Sequence, residues 1–174
     1  MRTAPEAVES DCVCVDLADV ILAPGFFERA VYLTETVGAY LEAEPLAYSA
    51  NAFWTRGVGA GTRADIQEFH RDADDGKFLA LFCYLTDVEN DEHGPHELKG
   101  PDGVPRKIYG PAGTMFLADT RNEHRGLKPH GRNERGIAWI RWGVSDPPAA
   151  YGWDGNQPVE MPRLIDRFPV ERWD

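Results

Sequence analysis

The sequence predicts a mainly-β domain, a sandwich or barrel with one helix packed outside it near the N-terminal end. Two observations predict this class. The chain has 174 residues, the length of one domain with a core of its own. Beyond Pro45, short aromatic and β-branched runs alternate with Gly, Pro, Asp and Asn, the pattern of many short strands joined by turns. The 17 glycines and 13 prolines are scattered, which favours frequent turns over long elements. No internal repeat or low-complexity tract interrupts the pattern.

The elements follow in order. "CVCVDL" alternates Cys12 and Cys14 with valines and reads as buried strand positions. A helix is expected in "GFFERAVYLTETVGAYLEAE", where Phe27, Ala30, Val31, Val37, Tyr40 and Leu41 recur at three- and four-residue spacing. Pro24 suits its start, and Pro45 stops what precedes it. Strands are expected in "LAYSANAFW", "IQEFHRD", "KFLALFCYLTDV", "TMFLAD" and "GIAWIRWG". The helical part thus spans about 20–44, the barrel about 46–143 and an irregular tail 144–174, with Trp153 and Trp173 packed on the body. Trp54, Trp139 and Trp142 read as core or barrel wall.

Composition narrows the function. Hydrophobic residues are 43% and charged residues 27%, as in ordinary globular proteins, and the net charge is −11. Nucleic acid and anionic membrane need clustered positive charge, so neither is expected as a partner. No apolar run reaches the ~18 residues of a membrane span. "MRTAPEAVESD" lacks the apolar segment of a secretory signal. With Cys12, Cys14 and Cys83 an odd set, reduced thiols and a cytoplasmic location are expected.

The chemistry concentrates in "EFHRDADD". On a strand, His70 and Asp72 share a face while Arg71 points away. That gives two adjacent corners of a metal site. The third ligand expected is His124, which follows an apolar strand and the turn-like "DTRN". Two histidines and a carboxylate form the facial triad of Fe(II) oxygenases, and zinc with a bound water uses the same donor types. Arg135, eleven residues after His124, separates the two readings. An oxygenase that chelates iron through 2-oxoglutarate must also hold that molecule's far carboxylate, and a fixed guanidinium meets that need.

"FHRDADDGKFLALFCYLTDVENDEHGPH" together with "GPAGTMFLADTRNEHRG…R" resembles the phytanoyl-CoA dioxygenase family over roughly residues 47–143. The resemblance implies a double-stranded β-helix, or jelly roll, and an Fe(II)- and 2-oxoglutarate-dependent dioxygenase that consumes O2. It implies His70, Asp72 and His124 as iron ligands and Arg135 as the 2-oxoglutarate anchor. Aspartate at position 72 implies hydroxylation, because related halogenases carry a small residue there. The substrate class implied is a small or carrier-bound metabolite, its identity and the oligomeric state being undetermined.

Two departures from the family stand out. The "PGSH"-like segment and the long insertion after it are replaced by "KGPDGVPRKIYGPAG", which implies a short lid or none. Where some members have a hydroxyl residue two positions after the distal histidine, this chain has Gly126, so another group must complete the co-substrate pocket. Two readings from other classes follow: a divalent-metal cupin-like hydrolase or isomerase, and a non-catalytic jelly-roll binding protein. Among the weaker signals, His93 and His96 in "HGPH" read as a loop near the mouth, with His96 a candidate substrate contact. His130 reads as solvated, Lys77 and Gln67 as pocket polars or plain surface, and Arg141, which shares strand parity with Arg135, as an ion pair on the outer face, a substrate contact or an inward-facing residue. Asp74 and Asp75 are not expected to be ligands.

Overall fold

A computed structural model describes residues 12–14, 26–57 and 68–144; Gln67, Trp153 and Trp173 fall outside them. Among the described residues, eight strands form two antiparallel sheets. The larger orders β1 (Cys12–Cys14), β2 (Leu46–Arg56), β8 (Glu134–Gly143), β3 (Phe78–Tyr84) and β6 (Met115–Ala118) as β1-β2-β8-β3-β6. The smaller orders β5 (Pro105–Ile108), β4 (His96–Lys99) and β7 (His124–Gly126) as β5-β4-β7. This is the expected jelly roll.

Alternation along the central strands builds two cores. On β3, Leu79, Leu81 and Cys83 face one cluster, while Ala80, Phe82 and Tyr84 face the other. On β8, Ala138, Ile140 and Trp142 join the first cluster and Ile137 and Trp139 the second. All seven β3 residues are buried, which explains why "FLALFCY" is apolar at every position instead of every second one. Each large side chain buried this way stabilises the fold by about 1.5–3 kcal/mol.

The helical layer covers the first cluster through Phe26, Ala30, Val37 and Leu41. It consists of two short helices rather than the single one expected: α1 (Phe26–Tyr32) and α2 (Thr34–Leu41). The break falls where the Thr34 hydroxyl donates back to the Ala30 carbonyl at 3.4 Å, a bond that competes with and bends a helix. Of the apolar positions expected to pack, Val31 and Tyr40 are instead exposed, and the Tyr40 hydroxyl is bonded to Asp119.

The second cluster lies between the two sheets and forms the barrel interior. Phe53, Phe82, Phe116 and Trp139 meet there, with ring centroids 4.7 Å apart for Phe53–Trp139 and 5.2 Å for Phe82–Phe116. Trp139 and Trp142 are barrel wall and core, as expected. Strands β4, β5 and β7 are additional to the expected set. "KGPDGVPRKI" completes a β4–β5 hairpin, with the turn at Pro101–Asp102.

Candidate metal centre

"EFHRD" does not form a strand of its own. It touches the smaller sheet at one residue, His70, which bridges His124 at the edge of β7. The two residues exchange both backbone hydrogen bonds, His70 N–H to His124 O and back, each at 3.0 Å. Directly opposed residues of such a pair project from the same face, so the two imidazoles converge, with centroids 4.3 Å apart. Asp72 is held two residues on by its N–H donating to Thr120 O at 2.9 Å. Arg71 is exposed, pointing away as expected.

Each of His70, Asp72 and His124 offers one donor atom, and the three atoms lie within 4.8 Å of one another. Among the described residues this is the one cluster of three or more histidine, cysteine and acidic side chains with metal-holding geometry. His70 Nδ1 lies 2.9 Å from Glu68 O and His124 Nδ1 3.0 Å from Asn122 O. A carbonyl can only accept, so both protons sit on Nδ1, and both Nε2 lone pairs point at Asp72. His70 Nε2 is 3.8 Å from Asp72 Oδ1, and His124 Nε2 is 3.7 Å from Oδ2. Burial, the largest influence, and the charges of His70 and Arg141 lower the His124 pKa despite Asp72. The ring is thereby kept in the neutral form that ligates metals.

The remaining acids of "EFHRDADD" have structural partners. Arg141 donates from Nη2 to Asp72 Oδ2 at 2.8 Å and from Nη1 to Asp74 Oδ2 at 2.6 Å. Its burial works against the charge, but Asp72 and Asp74 outweigh that and raise its pKa. Of the three readings open for Arg141, the structure shows the inward one, where it grips the carboxylate of Asp72. Tyr48 donates to the same Asp74 oxygen at 2.9 Å. It sits where the β2–β8 register shifts between Ala47 and Ser49, an irregularity of the kind that re-aims a side chain. Asp75 Oδ1 accepts from Gly76 N–H at 2.6 Å and Oδ2 from Val144 N–H at 2.8 Å, anchoring the loop to the end of β8.

Arg135 lies on β8 and is 2% exposed, although it carries a full charge. Its Nη1 donates to the carbonyls of Gly94 and Leu127, the latter at 2.9 Å. A Cβ on Gly126 would stand 2.6 Å from Arg135 Nη2, so the absent side chain makes room for the guanidinium. Gly94 is equally constrained, with φ +69° and a Cβ that would meet Leu127 O at 2.5 Å.

His96 departs from its expected place. It begins β4 instead of lying in a loop, and it is buried at 7% exposure. Its ring packs on Phe82, Phe116 and Tyr84, with centroids at 5.1, 5.8 and 6.3 Å. Only its register against Gly126, invisible until β4 and β7 are recognised as strands, marks it as an interior residue. His93 Nδ1 accepts from Glu89 N–H at 3.1 Å. His130 is exposed, as expected. Lys77 reaches Glu42 at 3.5 Å and lies over the Tyr40 ring, on the helical side of the larger sheet.

No family profile matches the chain, and no curated protein matches it. Solved structures do. A non-heme monooxygenase, ThoJ, in complex with nickel, superimposes with a TM-score of 0.54 at 18% identity over 73% of this chain and 57% of its own. AviO1 from Streptomyces viridochromogenes Tue57 gives 0.52 at 18% identity over 83% and 74%. Iron-bound HygX from Streptomyces hygroscopicus gives 0.51 at 11% identity over 79% and 73%. The chain spans less than two thirds of ThoJ. At these identities the likeness is one of fold: the chain shares its jelly roll with metal-binding proteins, among them a non-heme monooxygenase.

Proposed function

We propose that this chain is an Fe(II)- and 2-oxoglutarate-dependent dioxygenase of the phytanoyl-CoA dioxygenase type. On this reading it is a cytoplasmic enzyme that hydroxylates an unactivated C–H bond of a small or carrier-bound metabolite. The observation that carries the reading is the convergence of His70, Asp72 and His124, with both Nε2 lone pairs and one carboxylate oxygen free to face one point. The donor set fits Fe(II): two neutral imidazoles and one carboxylate leave further positions open. When bound, iron and 2-oxoglutarate supply an oxidative decarboxylation coupled to oxygen transfer from O2 into a C–H bond.

The chain's own residues hold and orient. Glu68 and Asn122 carbonyls fix the imidazole tautomers, and Arg141 fixes the Asp72 carboxylate. Arg135, immobilised by two carbonyls, is suited to a bidentate grip on the far carboxylate of 2-oxoglutarate. That buried cation is the feature favouring an oxygenase over a zinc hydrolase, which has no second carboxylate to hold. Asp72 as third ligand favours hydroxylation over halogenation, since a halide would need its position.

Anaerobic addition of 2-oxoglutarate to the Fe(II) protein tests the reading. A visible metal-to-ligand charge-transfer band is expected, and it should vanish in His70→Ala and Asp72→Ala. Iron-loaded protein that develops no band would overturn the proposal.

A further inference from the structure

Resting on the 2-oxoglutarate reading above, we propose that His96 is a co-substrate residue: its imidazole N–H, together with Arg135, binds the far carboxylate of a 2-oxo dicarboxylate, supplying the donor that the missing side chain at position 126 cannot. Three independent placements support this. First, His96 is the direct β4 partner of Gly126, and Leu98 the partner of His124. Opposed residues share a face, so His96 stands on the interior side of the smaller sheet, beside the position from which a residue-126 side chain would have reached inward. Second, the Arg135 guanidinium occupies that same spot, with Nη2 2.6 Å from where the Gly126 Cβ would be. Third, His96 Nδ1 is buried with no hydrogen-bond partner among the described residues.

The third point is the one a core histidine does not explain. Nothing about the ring is loosely placed: it rests against Phe82, Tyr84 and Phe116, and its backbone N–H donates to Tyr84 Oη at 3.0 Å. Tyr84 in turn donates to Ile108 O at 2.9 Å, which links the residue through Tyr84 of β3 to β5. A fixed, buried and unsatisfied polar atom costs stability unless it has a function or a ligand. Burial first, then the charges of Arg135, His124 and His70, push the His96 pKa well below the usual histidine value. The ring thus lies within the fields of the Arg135 guanidinium and of the His70 and His124 imidazoles. A five-carbon keto diacid held by the triad at one end and by Arg135 at the other would share these neighbours with His96. A neutral imidazole there contributes one N–H donor without a second full charge.

Calorimetric titration of the Ni(II) protein under anaerobic conditions separates the possibilities, using 2-oxoglutarate and 2-oxovalerate, which has the same length but no far carboxylate. In His96→Leu, 2-oxoglutarate is expected to bind at least about tenfold more weakly, as for a lost hydrogen bond to a charged group. Affinity for 2-oxovalerate and for Ni(II) should change by less than about twofold, and His96→Asn should recover part of the loss through its amide N–H. Unchanged 2-oxoglutarate affinity in His96→Leu, or an equal loss for both ligands, overturns the proposal while leaving the oxygenase reading intact. Wild-type protein that takes Ni(II) but neither keto acid overturns both. Should His96→Leu fail to fold, imidazole nitrogen NMR of the wild type decides. Nδ1 of His96 is expected to shift with 2-oxoglutarate and not with 2-oxovalerate, and equal spectra overturn the assignment.

Discussion

Arg141 divides its guanidinium between Asp72 and Asp74, so one oxygen of the candidate ligand carboxylate is held in place. Removing that grip frees Asp72 to rotate and takes away a charge-assisted bond. Such outer partners typically contribute ten- to a hundredfold to metal affinity. Arg141→Met is therefore expected to weaken Fe(II) binding by about that factor, measured by competition with a chromophoric chelator. Arg141→Lys should recover part of it, since an ammonium serves one carboxylate well but cannot fork across two. Gly126 acts at the same scale and in the opposite sense, through what it lacks. A methyl group in Gly126→Ala would press on a guanidinium already fixed by Gly94 and Leu127 carbonyls. That overpacking is expected to cost about 1–3 kcal/mol in urea unfolding. On the 2-oxoglutarate reading it should also weaken 2-oxoglutarate more than 2-oxovalerate. An Arg135 that shifts without loss of either would show the contact to be soft.

Between elements, Asp119 joins the end of β6 to the helical layer. It accepts from Tyr40 on α2 at 2.5 Å and from Arg121 at 3.0 and 2.7 Å. Burial pushes its pKa up, but the bonds from Arg121 and Tyr40 outweigh this, and the carboxyl titrates below its ordinary value. The folded pKa being the lower one, the stabilisation is whole above the unfolded value of about 3.9 and fades as pH falls through the folded value. Asp119→Asn is accordingly expected to lose about 1–3 kcal/mol at pH 7 and much less near pH 2, read from urea midpoints at both. This tie is hidden in the sequence because Tyr40 reads as one more apolar position of a helix. β3 and β8 are legible because burial on both faces makes them long apolar runs. β4, β5 and β7 are not: "HELK", "PRKI" and "HRG" are short and carry polar outer faces. Glu97 there pairs with Arg125 at 2.7 Å, which looks like loop chemistry in one dimension. "EFHRD" shows the reverse case. Its sequence predicts a strand and it makes a single bridge, yet the period-two logic still puts His70 and Asp72 together because the bridge falls at His70 itself. The place of His96 depends on β4, which the sequence conceals, whereas parity along the visible β8 admits an inward Arg141 but does not choose it over an outer-face ion pair or a substrate contact.

At the scale of the whole molecule, the candidate metal centre is where separate parts of the jelly roll are joined. The His70–Asp72 segment is bonded to His124 and Thr120 at the edge of the smaller sheet. The acids just beyond it are bonded to Arg141, Tyr48 and Val144 of the larger sheet region. A divalent ion drawing on all three ligands would lock that junction, and the unfolded chain, with its ligands scattered over more than fifty residues, would bind it far more weakly. Binding to the folded state alone stabilises by about 2.7 kcal/mol at a free metal concentration a hundred times Kd. For a chain of this size each kcal/mol moves the melting midpoint by about 2–4 °C. Anaerobic calorimetry with Fe(II) in that excess is thus expected to raise Tm by about 5–11 °C, and a chelator should return it to the apo value. His124→Ala should melt at one temperature with or without Fe(II), because the remaining His70 and Asp72 belong to one segment and no longer bridge to β7. A full shift in His124→Ala would place the stabilising ion elsewhere, and no shift in the wild type at saturating Fe(II) would show that the triad does not hold it.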